Sequence, residues 1–193
     1  MSYTNISWDE ATADSITISD ATITATGASS WDKKVKSTST FDNSTTLKFT
    51  SWNTSGAFVG GFAKDPFAHT NPSAEYASVE YGFYVDVGND YYEISESGSS
   101  SNGTSSAGIT TTSIFKIERT SLGQFKYYVD DVLIKTTAAG DSSAMYAHGT
   151  FNLNGAHCTG STQSSNVEQE STPIAGEGAP IDYILYLNTK VPK

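Results

Sequence analysis

Four kinds of side chain in this sequence could do chemistry: paired carboxylates, a serine beside a histidine, a cluster of hard oxygens, and neighbouring aromatic rings. Hydrolysis of a glycosidic bond with retention needs two carboxyls about 5 Å apart, one as nucleophile and one as acid. "YYEISE" offers Glu93 and Glu96. Their odd separation turns them to opposite faces of a strand. "VEYGFYVD" offers Glu80 and Asp86, which share a face but sit too far apart along the chain to flank one bond. A serine nucleophile needs a positioned base. The pattern G-x-S-x-G does not occur, and His69, His148 and His157 have no flanking residues that mark a base. Each is read as a structural histidine, and no catalytic residue is assigned.

Hard cations want several oxygen ligands. "DVGNDYYE" supplies Asp86, Asn89 and Asp90, with Glu93 beyond them, and these make a candidate calcium site. A Gly-Asn-Asp turn between two strands explains the same spacing. Glycan recognition would use exposed ring faces beside polar groups. Tyr91-Tyr92 and Tyr127-Tyr128 are adjacent pairs, so one ring of each pair must leave the core side of its strand. With Trp52 in "FTSWNTSG", they give Trp52, Tyr91, Tyr92 and Tyr128 as candidate ligand contacts. The competing reading makes the tyrosines amphipathic sheet residues with a buried ring and a wet hydroxyl.

The elements that would carry these residues are strands. In "FKIERTSLGQFKYYVDDVLIKTT", Phe115 and Ile117 alternate with Lys116 and Glu118. The pattern restarts after Leu122-Gly123 with Phe125, Tyr127 and Val129, and again after Asp130-Asp131 with Val132 and Ile134. Period two over three short segments predicts an antiparallel meander whose apolar set is buried. Further strands are expected at 15–19, 21–25, 46–50, 57–63, 78–86, 91–95, 145–153 and 181–187. Segment 154–180 reads as one long polar loop, too long for a mere turn and expected to lie against a neighbouring subunit or along the sandwich exterior. Deleting 160–170 is expected to spare the fold. The whole of 1–193 is read as one domain, closed by a returning strand, "IDYILYL", at 181–187.

Composition narrows the function classes. The chain has 193 residues, 21 acidic against 11 basic, and a formal net charge of −10. That balance argues against nucleic acid, which calls for clustered Lys and Arg. A single cysteine, Cys158, excludes an intramolecular disulfide framework. "AHCTGS" offers no zinc-ligand spacing. No run approaches the roughly 18 apolar residues of a membrane helix, and "MSYTNISWDEATAD" lacks the basic start and apolar run of a signal peptide.

The residues "SIFKIERTSLGQFKYYVDDVLIKTT" resemble the strand, turn, strand and return strand of the concanavalin A-like lectin/glucanase superfamily. "ISDATITATGASSWDKKVKST", "GAFVGGFA" and "AMYAHGTFNLNGA" look like its opening strand, a strand with small residues at the sheet crossing, and a late strand. The resemblance implies an all-β, two-sheet antiparallel jelly-roll sandwich. No cofactor is assigned; the resemblance leaves room for calcium in a loop and for glycans as ligands. The Glu-x-Asp-x-x-Glu spacing of that superfamily's glucanases is absent. Its common Asn-Gly hairpin is replaced by Asp130-Asp131, for which a turn other than type I′ is expected. The resulting expectation is a non-catalytic surface or attachment protein, placed in a virion as a minor capsid, decoration or fibre-type subunit. Other subunits, and glycans, would be its partners. A carbohydrate-binding lectin module and a glycoside hydrolase with an unrecognised site are the alternatives.

Overall fold

The computed structural model describes residues 3–10, 16–26, 31–50, 56–68, 75–97, 99–100, 108–138, 140–152 and 157–164. Within them the strands are β1 (Thr4–Asn5), β2 (Trp8–Glu10), β3 (Ile16–Ser19), β4 (Thr22–Ala25), β5 (Lys33–Phe41), β6 (Thr45–Thr50) and β7 (Ala57–Ala63). They continue as β8 (Tyr81–Asp86), β9 (Tyr91–Glu96), β10 (Ser99–Ser100), β11 (Phe115–Arg119) and β12 (Phe125–Val129). The last are β13 (Val132–Thr136), β14 (Met145–Phe151) and β15 (His157–Ser164). Short 3-10 turns occupy Glu75–Ser78 and Val87–Asn89.

Two antiparallel sheets form. The first runs β13-β12-β11-β6-β15-β4-β3, with β1 also paired to β15; the second runs β10-β9-β8-β7-β14-β5-β2. Alternation along each strand sends one set of side chains between the sheets. Rings meet edge to face there: Phe49 against Phe58 at 5.5 Å, Phe83 against Phe115 at 5.2 Å and Phe83 against Tyr127 at 5.4 Å. Gly60 makes room for this packing, since a Cβ on it would lie 2.1 Å from the Phe58 ring. Arg119 is wholly buried at one end of the core. Its guanidinium donates to the carbonyls of Phe41, Asp141 and Ser143 and lies beside the touching rings of Phe62 and Phe125.

The meander is β11-β12-β13, and Phe115, Ile117, Phe125, Tyr127 and Val129 are buried as the alternation predicts. Val132 is not: it is 63% exposed. The reason is position. Among the described residues β13 is the outermost strand of its sheet, and its register against β12 shifts between Tyr127 and Tyr128, so its apolar set is not held squarely over the core. Ile134 packs only partly against it.

The Asp130-Asp131 turn also departs from expectation. Both residues have positive φ, 48° and 64°, and Val129 pairs with Val132 across a two-residue loop, the type I′ arrangement. Two side-chain contacts offset the left-handed cost. Asp130 Oδ1 accepts from the Ile114 amide at 2.7 Å, and Asp131 pairs with Lys116 at 2.7 Å.

The expected polar loop from 154 begins instead with a strand. β15 lies in the middle of the first sheet, pairing Thr162 with Leu47 on one side and Thr4 on the other. Its sequence, "HCTGSTQS", carries no apolar alternation, so periodicity could not reveal it. Deleting 160–170 would remove this strand's second half, and the expectation that the fold survives is withdrawn. β5, "KKVKSTSTF", was likewise unforeseen because lysines and hydroxyls mask it. The 181–187 strand lies outside the described residues.

Candidate functional site

Register across the second sheet sets one transverse row. Thr150 pairs with Lys34 on β5 and with Val59 on β7; Val59 pairs with Tyr84, and Tyr84 with Glu93. Directly opposed residues share a face. Phe83, Val85, Tyr92 and Ile94 point into the core, so Tyr84, Tyr91 and Glu93 belong to the outer face.

Rings join on this face. Tyr84 meets Tyr91 at 5.6 Å and Trp31 at 5.8 Å, and Trp31 meets Tyr76 at 5.5 Å. All four residues are half-buried, neither closed into the core nor fully exposed. The Tyr91 hydroxyl donates to Glu93 Oε2 at 2.5 Å, and that bond, with burial, pushes its pKa to about 12. Burial, then the carboxylates of Asp86 and Glu93, raises Tyr84. Both phenols are protonated at neutral pH; the Tyr91 proton is held by Glu93, whose remaining lone pairs stay available as acceptors. The arrangement is an aromatic strip bordered by hydrogen-bond acceptors, suited to stacking a flat apolar face and binding hydroxyls around it.

The 3-10 turn carrying Tyr76 is anchored at its end. Ser78 Oγ lies 2.7 Å from His148 Nε2, and His148 Nδ1 lies 2.7 Å from the Val35 carbonyl. A carbonyl only accepts, so Nδ1 carries the proton and the serine donates to Nε2. His148 is fully buried beneath the Phe67 ring, at 6.1 Å. Burial holds its pKa down to about 3, and the nearby Lys34 charge acts in the same direction. Such an imidazole is a poor base at neutral pH, and Ser78 is itself buried. The pair is a structural latch, in keeping with the reading of His148 as structural.

The residues singled out from sequence are not brought together. Tyr91 lies on the strip. Tyr92 is in the core, 5% exposed and packed on Phe83 and Phe115, which corrects its assignment as a ligand contact. Tyr128 lies on the outer face of the other sheet, donating to Glu118 at 2.8 Å beneath the Lys116 ammonium. Trp52 is outside the described residues. Asp86 caps the Val87–Asn89 turn through the Asn89 amide at 3.1 Å, and the Asn89 side chain donates back to it at 2.7 Å. Asp90 accepts from the amides of Gly108 and Ile109 at 2.8 and 2.9 Å. These oxygens tie loops together, and no group of three or more His, Cys, Asp or Glu that could hold a metal ion is found among the described residues. Glu93 and Glu96 diverge: Glu96 accepts from the core residue Tyr127 at 3.2 Å and pairs with Lys135 at 3.1 Å.

Sequence reasoning missed Trp31, Tyr76 and Tyr84. The alternation of "YGFYVD" could have set Tyr84 outward. Nothing local links Trp31 to Tyr76.

No protein-family model matches the chain, and no curated protein matches it. Solved structures do share its fold. The PSpry domain of TRIM65 superposes with a TM-score of 0.58 at 12% identity, covering 81% of this chain and 88% of that one. The exoplasmic/lumenal domain of VIP36, in a Ca2+- and Man2-bound form, gives 0.52 at 12% identity over 83% and 82%. A native glycosidic hydrolase gives 0.50 at 10% identity over 80% and 88%. The chain has the concanavalin A-like jelly-roll fold, an all-β sandwich that carries lectins, SPRY domains and hydrolases alike.

Proposed function

We propose that this chain is a non-catalytic glycan-binding domain of lectin type, and that the strip of Trp31, Tyr84 and Tyr91 with Glu93 is its sugar-contacting surface. The observation that carries the reading is the run of touching, half-buried rings on one outer sheet face, bordered by carboxylate acceptors. A pyranose presents an apolar C–H face for stacking and equatorial hydroxyls for acceptors. Tyrosine and tryptophan offer that stacking surface at little conformational cost. The mannoside-bound form of VIP36 shows that a protein of this fold can hold a glycan.

The non-catalytic part of the reading rests on the carboxylates. Glu93 is engaged by Tyr91 on the outer face while Glu96 turns toward the core, so the two do not flank a common bond. The exterior, virion-associated setting is a separate reading, supported by the polar, acidic composition and the self-contained sandwich. A glycan array followed by fluorescence titration tests the proposal. Binding should quench tryptophan emission and be clearly weaker in Trp31→Ala. Release of reducing ends from a bound polysaccharide would overturn the non-catalytic assignment.

A further inference from the structure

The exposed large apolar side chains among the described residues are Tyr3, Leu122, Val132 and Leu133. Two of the four are consecutive on β13, at 63% and 51% exposure. Being consecutive, they put apolar surface on both faces of an edge strand. An open edge with apolar flanks is the feature that natural sheets usually cover or guard with charge. β13 has one charged residue, Lys135, and its ammonium is engaged with Glu96 at 3.1 Å.

The path of the described chain shows which segment can reach this edge. Gln163 pairs with Thr46, Thr46 with Glu118, Glu118 with Lys126, and Lys126 with Thr136. This row crosses the sheet from the end of β15 to the end of β13. The described chain thus stops, at Ser164, at the end of the sheet where β13 finishes. Four strand spacings separate them, about 19 Å. Residues 165–180 can reach about 50 Å when extended. Beyond them lies "IDYILYL", in which Ile181, Tyr183, Leu185 and Leu187 alternate with Asp182, Ile184 and Tyr186. A segment entering from that end runs antiparallel to β13. The other edge of the sheet, β3, shows no exposed large apolar side chain.

We propose that Ile181–Leu187 adds to the free edge of β13 as an antiparallel strand and covers Val132 and Leu133. Main-chain bonds supply the attachment, and the alternating apolar side chains extend the sandwich by one strand. Hydrogen exchange of the full chain tests it through the β13 amides that do not bond β12. These should be protected, and equally so across a hundredfold dilution. Replacing Ile181, Tyr183 and Leu185 by serine should speed their exchange by about tenfold or more, with β11 unchanged as the internal check on folding. Ile184→Pro, which removes a ladder donor but leaves that apolar face, should do the same. Unprotected β13 amides in the wild type, or protection that survives both variants, would overturn the proposal. Protection that fades on dilution would assign the edge to a second copy instead, and overturn it equally.

Discussion

His148 Nε2 lies 2.7 Å from Ser78 Oγ, and through that one bond a buried imidazole fixes the turn that carries Tyr76 against Trp31. The bond needs a neutral ring. Lys34 and Lys36 lie over the neighbouring Phe67 ring, at 5.5 and 5.4 Å, so the surroundings also disfavour a second proton.

This relationship makes stability depend on pH. The folded protein holds His148 near 3 against an ordinary 6.5, so unfolding takes up a proton in the window between. The contribution is whole above about pH 6.5 and is lost as pH falls toward 3. Between pH 7 and pH 5 this one group should remove about 2 kcal/mol. Urea unfolding at the two pH values measures it. His148→Gln, which keeps a donor and an acceptor, should flatten that slope, and an unchanged slope would show that another group sets it.

The Asp130-Asp131 turn gives a second prediction. Asp131→Gly relieves a left-handed residue and gives up only a solvent-exposed ion pair with Lys116, which is worth little in water, so its thermal midpoint should rise slightly. Asp130→Gly relieves the same kind of strain but deletes the acceptor of the Ile114 amide, and its midpoint should fall. Differential scanning calorimetry of the two variants distinguishes them by sign.

How legible these features are in sequence depends on what each strand shows to water. β11, β12, β8 and β9 have one apolar face and one polar face, and period two locates them within a residue or two, while β7 shows as a short unbroken run of apolar and glycine residues, buried throughout. β15 sits at the sheet centre with serine, threonine and glycine in place of an apolar set, and β5 hides one buried valine among lysines. Their pairing is set by neighbours distant in sequence, which no local pattern records. The site followed the same division. Period two separates Tyr91 from Tyr92, but the strip needs Trp31, Tyr76 and Tyr84 from three separate segments. The loop acids looked like cation ligands because the same oxygens that bind a cation also bind backbone amides.

The central place of β15 yields a third prediction. Thr162 pairs with Leu47 on one side and Thr4 on the other, so proline there breaks a ladder in the sheet interior. Thr162→Pro should cost about 3 kcal/mol or more. A denaturant midpoint close to wild type would mean that β15 contributes little to the sheet.

The most direct test of the central claim is a calorimetric titration of one glycan, chosen from an array, against the wild type, Trp31→Ala, Tyr84→Ala and Tyr128→Ala. Loss of one stacking ring should weaken binding by about 1–3 kcal/mol, roughly 5- to 150-fold. The first two variants should show that loss. Tyr128→Ala, on the opposite sheet, should bind as the wild type does. Equal affinity in all four proteins, or a loss confined to Tyr128→Ala, would contradict the assignment of the outer face of the second sheet as the binding surface.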